Sequence, residues 1–206
     1  MHSVNYLNQA KIMPAMNIII IGGGFGGVYA AKYLLRYFRN TGTKVTLISP
    51  TNYFTFIPML HEVATGGLCG HNLCEPYRDI LRGNFNLIKD RVESIDLMKN
   101  KVKTTTRELS YDYLVIATGS KANFRGIKGA ERNTYTLKSL RDAIALKNSI
   151  IESIEKACST KQQAHATIAV IGAGATGIEL SIEIKEFMDQ LCKNTELHPK
   201  VLLLQH

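Results

Sequence analysis

Two six-residue segments, GGGFGG at 22–27 and GAGATG at 172–177, place glycines at the same G-x-G-x-x-G spacing. Glycines so spaced suit one kind of chemistry. One permits a tight turn, one lets a pyrophosphate approach the backbone, and one lets a following helix pack closely. A helix that starts there offers free N–H groups and positive partial charge to phosphates. The spacing is weak evidence alone and becomes strong only between a strand and a helix.

Both copies have that context. Ahead of the first lies NIIII (17–21), an apolar, β-branched run of the kind expected in a parallel strand buried on both faces. Behind it Val28, Ala31, Leu34, Leu35 and Phe38 recur with helical spacing, Asn40–Thr43 make a turn, and KVTLIS reads as the next strand. The second copy repeats this with TIAVI (167–171), the helix TGIELSIEIKEFMDQLC and the strand KVLLLQH. Lys44-Val45 and Lys200-Val201 open the matching second strands. Each copy is a βαβ unit, so the pattern predicts an α/β chain with two Rossmann-like units, each holding one dinucleotide.

The stretch between them, FNLIKDRVESIDLMKNKVKTTTRELSYDYLVIATGS, reads as three short strands with turns at Met98–Lys101 and Arg107–Ser110. It ends in a run expected to be buried, Tyr113–Ala117, closed by Thr118 and Gly119. From Thr136, TLKSLRDAIALKNSIIESIEKA reads as a long amphipathic helix that packs and connects. The first fifteen residues lack periodicity and read as a frayed tail, with Met13 or Met16 as alternative starts. No secretory pattern precedes them, so the four cysteines are expected as free thiols in a reducing compartment. The net charge of +8 is spread rather than clustered, and it suits a polyanionic cofactor as well as nucleic acid or a membrane. No window approaches the length of a membrane-spanning helix.

These residues resemble the flavoproteins with two dinucleotide sites, in which FAD occupies the first unit and NAD(P)H an inserted second one. YDYLVIATGS is similar to their strand and A-T-G turn beside the FAD. Within that superfamily SPTNYFTFIPMLHEVATG (49–66) resembles the type II NADH dehydrogenases, the single-subunit NADH:quinone oxidoreductases. TLKSLRDAIALKNSI is similar to their linker helix. The resemblance spans residues 16–206, and N-Y-x-x-F-x-P-x-L is its most discriminating part.

The resemblance implies a division into an FAD-binding domain (16–135), a linker helix (136–160) and the start of an NAD(P)H-binding domain (164–206). Gly22, Gly24, Phe25, Gly26 and Gly27 would line the FAD pyrophosphate. Ser49 and Pro50 would lie at the adenosine ribose, where an acidic residue is the commoner choice. Val92 would meet the adenine through its backbone, Ala117, Thr118 and Gly119 would close over the cofactor, and Pro58 would lie near the flavin ring. In the second unit Gly172, Gly174, Ala175, Thr176 and Gly177 would hold NADH or NADPH. Gln205 falls where Ser49 falls in the first, with His206 beside it as a cation for a phosphate. Glu179 is the one side chain there assigned a mechanistic role, orienting the reduced nucleotide or moving a proton; the alternative is a carboxylate favoured by the helix dipole.

The activity implied is hydride transfer from NADH or NADPH to FAD, then electron transfer to a quinone. Cys69 and Cys74 offer a competing chemistry, since C-x4-C resembles the redox pair of the glutathione-reductase-like disulfide reductases. The residues after the second cysteine, Glu75-Pro76-Tyr77, depart from that pattern. Cys158 and Cys192 read as packing residues. His61-Glu62 and His71 lack metal-ligand spacing, so no metal is expected, and nothing resembles a nucleic-acid module.

KVLLLQH carries apolar residues on both faces and calls for neighbours that one βαβ unit cannot supply. The pattern is that of a truncated chain, with the quinone site and peripheral membrane contact in the C-terminal part of a full-length form. The implied location is the cytoplasm, or the cytoplasmic face of the inner membrane, and a homodimer is compatible with the pattern. A disulfide reductase fragment and a non-catalytic FAD-binding fragment stand as the other readings.

Overall fold

The computed structural model describes residues 14–205. Of the tail expected over the first fifteen residues, 1–13 lie outside the described residues, as does the cation expected at His206. In chain order the elements are β1 (Asn17–Ile21), α1 (Phe25–Tyr37), β2 (Lys44–Ser49), β3 (Tyr53–Thr55), α2 (Leu60–Ala64) and β4 (Cys74–Pro76). Next come α3 (Tyr77–Ile80), β5 (Phe85–Lys89), β6 (Val92–Asp96), β7 (Lys101–Thr104), β8 (Glu108–Ser110) and β9 (Tyr113–Ile116). The chain continues as α4 (Ala130–Asn133), α5 (Leu140–Thr160), β10 (Thr167–Ile171), α6 (Ala175–Cys192) and β11 (Lys200–Leu204).

These elements gather into two compact units. The first runs up to Phe54 and resumes over Glu75–Ser120; the second takes Thr55–Cys74 and the chain from Lys121 onward.

In the first unit β5, β2, β1 and β9 form a parallel sheet in that order. Ile20 lies opposite Leu47 on one side and Val115 on the other. Successive side chains point to opposite faces, and both faces of β1 are covered. Ile20 joins Val28 and Ala31 of α1 in one cluster, whereas Ile19 and Ile21 join Val102, Ile95 and Leu109 of the antiparallel β6-β7-β8 sheet in another. This is why β1 reads as continuous isoleucine: Ile18–Ile21 are at most 5% exposed. Each such burial contributes about 1.5–3 kcal/mol. The chain leaves β1 toward β2 on one side while β9 lies on the other, so the strand order reverses beside β1. A crevice at the carboxyl ends of the strands at such a point is where this architecture takes ligands.

Two expectations in this unit are corrected. Glu108–Ser110 is a strand, not part of a turn, because Leu109 lies opposite Val102 and joins the buried cluster. The turn sits just before it, where Thr105 and Thr106 hydroxyls donate to the Asp90 carboxylate and, with Thr104, hold it well below the usual carboxylate range. The run Tyr113–Ala117 is only half buried: Tyr113 and Ile116 are about 60% exposed, since among the described residues β9 is the outer strand and pairs with β1 alone.

In the second unit β10 and β11 pair in parallel. Ile150, Ile154 and Ala157 of α5 pack with Val170 of β10 and with Ile184, Met188 and Cys192 of α6. Helix α5 begins at Leu140 rather than Thr136 because Ser139 caps it. Ser139 Oγ accepts from Asp142 N at 3.2 Å, and the Asp142 carboxylate accepts from Ser139 N at 3.0 Å. Residues 55–74, which the resemblance groups with the first glycine turn, pack instead in this unit. Leu60, Val63 and Ala64 on one face of α2 meet Ala143, Leu146 and Leu180. On β11, Leu202, Leu203 and Leu204 are 40–48% exposed, and among the described residues the strand is paired on the β10 side only.

Candidate functional site

The two glycine turns have one geometry. Gly22 (φ +105°) and Gly172 (φ +113°) adopt backbone conformations that L side chains rarely take. A Cβ on Gly27 would lie 1.8 Å from Gly22 O, and one on Gly177 would lie 1.8 Å from Gly172 O. The first and third glycines are therefore demanded by the protein itself: one by dihedral angle, the other by the closeness of helix to turn.

The middle glycines are not. Gly24 and Gly174 have ordinary extended backbone, and a Cβ on either meets nothing within 4 Å. Each is the N-cap of its helix, with no side-chain cap and no acidic residue in the first turn. The open N–H groups of α1 and α6 thus face space that a side chain would fill and a phosphate can enter. A dinucleotide pyrophosphate fits both turns.

Around the first turn the sheet's carboxyl ends converge. Ala117 N donates to Ile21 O at 2.8 Å, and a Cβ on Gly22 would lie 2.2 Å from Ala117 O, so the A-T-G strand end runs against the turn. Gly26 sits against the Ala117 side chain, and Phe25 packs edge-on to Phe54 with ring centroids 4.9 Å apart. Thr118, Gly119 and Pro50 are exposed at the same strand ends, and Val92 is half-buried at the start of β6.

Ser49 stands at the end of β2 as expected, but its side chain points inward. It is 3% exposed, and its hydroxyl bonds with Tyr77 Oη at 3.1 Å. Tyr77 is itself buried and donates to Gly23 O at 3.0 Å. A Cβ on Gly23 would collide with that hydroxyl at 1.7 Å. A buried tyrosine thus fastens the glycine turn to the end of β2, a function no local pattern around Tyr77 signals. Tyr77→Phe leaves a buried hydroxyl and carbonyl short of a partner and is expected to destabilise the first unit by about 1–3 kcal/mol. Urea unfolding checks this; a midpoint equal to the parent's removes the tie from the account.

The second turn opens into a cavity of about 650 Å³. Ala169, Ile171, Gly172, Ala173, Gly174 and Gln205 line one part of it, and residues from 122–136, Arg125 among them, line the rest. The contribution of 122–136 was not legible in the sequence. Ala175 and Thr176 are exposed on the first turn of α6, and Glu179 is exposed one turn further on. Glu179 lies beyond the first turn of the helix, where the dipole is weak, so the dipole explanation for it fails.

His61 has a structural partner. Its Nε2 lies 3.3 Å from Glu183 Oε1, and Thr65 donates to Glu183 Oε2 at 3.0 Å, which seats α2 on α6. Among the described residues no group of three or more His, Cys, Asp or Glu side chains could hold a metal ion. Pro58 is exposed in a short helical turn, Ile57–Met59. Cys69 is exposed and Cys74 half-buried, both as free thiols, with the Cys74 Sγ donating to Gly70 O at 3.5 Å.

The model of the pyridine nucleotide-disulphide oxidoreductase family matches residues 16–205. The chain belongs to that family. It is similar to external alternative NAD(P)H-ubiquinone oxidoreductase B3 of Arabidopsis thaliana mitochondria. They are 31% identical, over 89% of this chain and 34% of that protein. The probable NADH dehydrogenase of Dictyostelium discoideum is 35% identical, over 88% of this chain and 42% of that protein. The structure of NDH2 from Plasmodium falciparum in complex with NADH superposes with a TM-score of 0.78 at 27% identity, covering 90% of this chain and 41% of that one. The chain thus spans about a third to two-fifths of the length of these relatives.

Proposed function

We propose that the chain is the nucleotide-binding part of an FAD-dependent NAD(P)H:quinone oxidoreductase of the type II kind. The observation that carries this is the pair of open glycines, Gly24 and Gly174, each at a helix start where a built Cβ meets no protein atom and the backbone does not call for glycine. The names of the similar proteins support it. When bound, FAD supplies the chemistry, accepting a hydride from NADH or NADPH and passing electrons to a quinone.

The chain's own residues bind and orient. Gly24, Phe25 and Gly26 receive the FAD pyrophosphate at the start of α1, with the turn held in shape by Gly22, Gly27 and the Tyr77–Ser49 tie. Ala117, Thr118 and Gly119 border it, and Pro50 and Val92 flank the adenosine. Gly172, Gly174, Ala175, Thr176 and Gly177 hold the pyrophosphate of NAD(P)H, and Glu179 orients the reduced nucleotide or moves its proton. Quinone reduction, peripheral attachment to the cytoplasmic face of a membrane and a homodimer belong to the same proposal for the full-length form. No helix among the described residues is long and apolar enough to cross a membrane.

The test is flavin absorbance of the purified chain together with titration by NADH and NADPH, then quinone-dependent NAD(P)H oxidation in a full-length form. A chain that takes up neither FAD nor NAD(P)H rejects the reading. Flavin without turnover reduces it to an FAD-binding module.

Nucleotide choice is expected to turn on Gln205, exposed after β11 and lining the same cavity as Gly172. A neutral amide there accepts or donates to a ribose hydroxyl without repelling a 2′-phosphate, which a carboxylate would do. Gln205→Glu is therefore expected to raise the preference for NADH over NADPH by about tenfold or more. The ratio of the two kcat/KM values measures it, and an unchanged ratio removes Gln205 from the ribose.

A further inference from the structure

We propose that Arg125 is a phosphate-binding residue of the cavity at the second glycine turn. The proposal rests on the reading of that turn as the NAD(P)H site. The cavity, at about 650 Å³, is of the size of small-molecule sites. Of the fourteen residues that line it, Arg125 alone carries a charge. No carboxylate is among them, so nothing in the wall neutralises the guanidinium or repels a phosphate.

Nor does the Arg125 side chain have a partner elsewhere among the described residues. Among the described residues its guanidinium makes no ion pair and no side-chain hydrogen bond, while five other basic side chains do pair with carboxylates. An unpaired guanidinium presents five donors in a planar fork that matches phosphate oxygens two at a time. Its backbone is held in place. Arg125 sits at φ +49°, unusual for a residue with a side chain, and its N–H donates to Asn123 Oδ1 at 2.9 Å. Phe124, Ile127 and Ile171 give the same cavity an apolar wall suited to a flat heterocycle. A cation, a glycine turn and an apolar wall in one cavity are the complement of a dinucleotide, and they place Arg125 on a phosphate that the turn itself does not neutralise.

The test is titration of the 206-residue chain and its Arg125→Gln variant with NADH and with NADPH. Arg125→Lys serves as the conservative control, and circular dichroism confirms the fold. Arg125→Gln is expected to weaken binding about tenfold or more, with Arg125→Lys between variant and parent. A loss shared by both nucleotides assigns Arg125 to the pyrophosphate; a loss confined to NADPH assigns it to the 2′-phosphate. A parent that binds with a variant indistinguishable from it overturns this proposal alone. A parent that binds neither nucleotide overturns the reading of the second turn and this proposal with it.

Discussion

Gly24→Val is expected to fold like the parent and to purify with little or no flavin. The steric side is set by the fold: Gly24 has φ −79° and ψ −167°, open to a β-branched residue, and a Cβ there meets no protein atom within 4 Å. The protein therefore loses only the modest N-cap preference of glycine over valine, about 1 kcal/mol or less. A ligand loses far more. Two γ-methyls would occupy the space through which a pyrophosphate reaches the N–H groups of α1, and a fall in affinity of about 100-fold corresponds to about 2.7 kcal/mol. Flavin absorbance relative to protein absorbance reads the binding, and thermal unfolding without flavin reads the fold. Flavin content equal to the parent's sinks the assignment of the first turn.

Gly27→Ala, three residues along the same motif, is expected to do the reverse and damage the fold itself. Its Cβ would lie 1.8 Å from Gly22 O, and both groups are backbone, so no flexible side chain can yield. Helix α1 would have to move off β1, taking Val28 and Ala31 out of their cluster with Ile20. Overpacking in a closed core costs about 1–3 kcal/mol, and backbone against backbone sits at or above the top of that range. The expected result is a chain that is insoluble or melts well below the parent whether or not FAD is supplied. A variant with the parent's melting temperature would mean that helix and turn are not closely packed.

The contrast between these two glycines separates what a motif says from what a structure says. G-x-G-x-x-G announces a turn and a ligand, yet it does not tell which glycine serves the ligand. The space around each glycine makes that division. The capped start of α5 was legible in the same partial way. The amphipathic pattern located the helix, and the reciprocal Ser139–Asp142 bonds moved its first turn to Leu140. The strand β8 is not legible in the sequence because three residues, Glu108–Ser110, are too few to show alternation, and the ladder to β7 is what defines them.

Local chemistry determined by itself the two βαβ units, the buried isoleucine strand, the glycine turns and, through N-Y-x-x-F-x-P-x-L, the kinship. Such features depend on residues within a few positions of one another, where spacing is visible along the chain. Only the tertiary structure decided that Ser49 turns inward to Tyr77, 28 residues away, and that α2 seats on α6 through His61 and Glu183. It alone brought Arg125 into one cavity with Gly174 and Gln205. These pairings join residues far apart in the chain, and their partners are chosen by which apolar faces must be buried together. A linear pattern shows that a face exists; the packed fold shows what it meets.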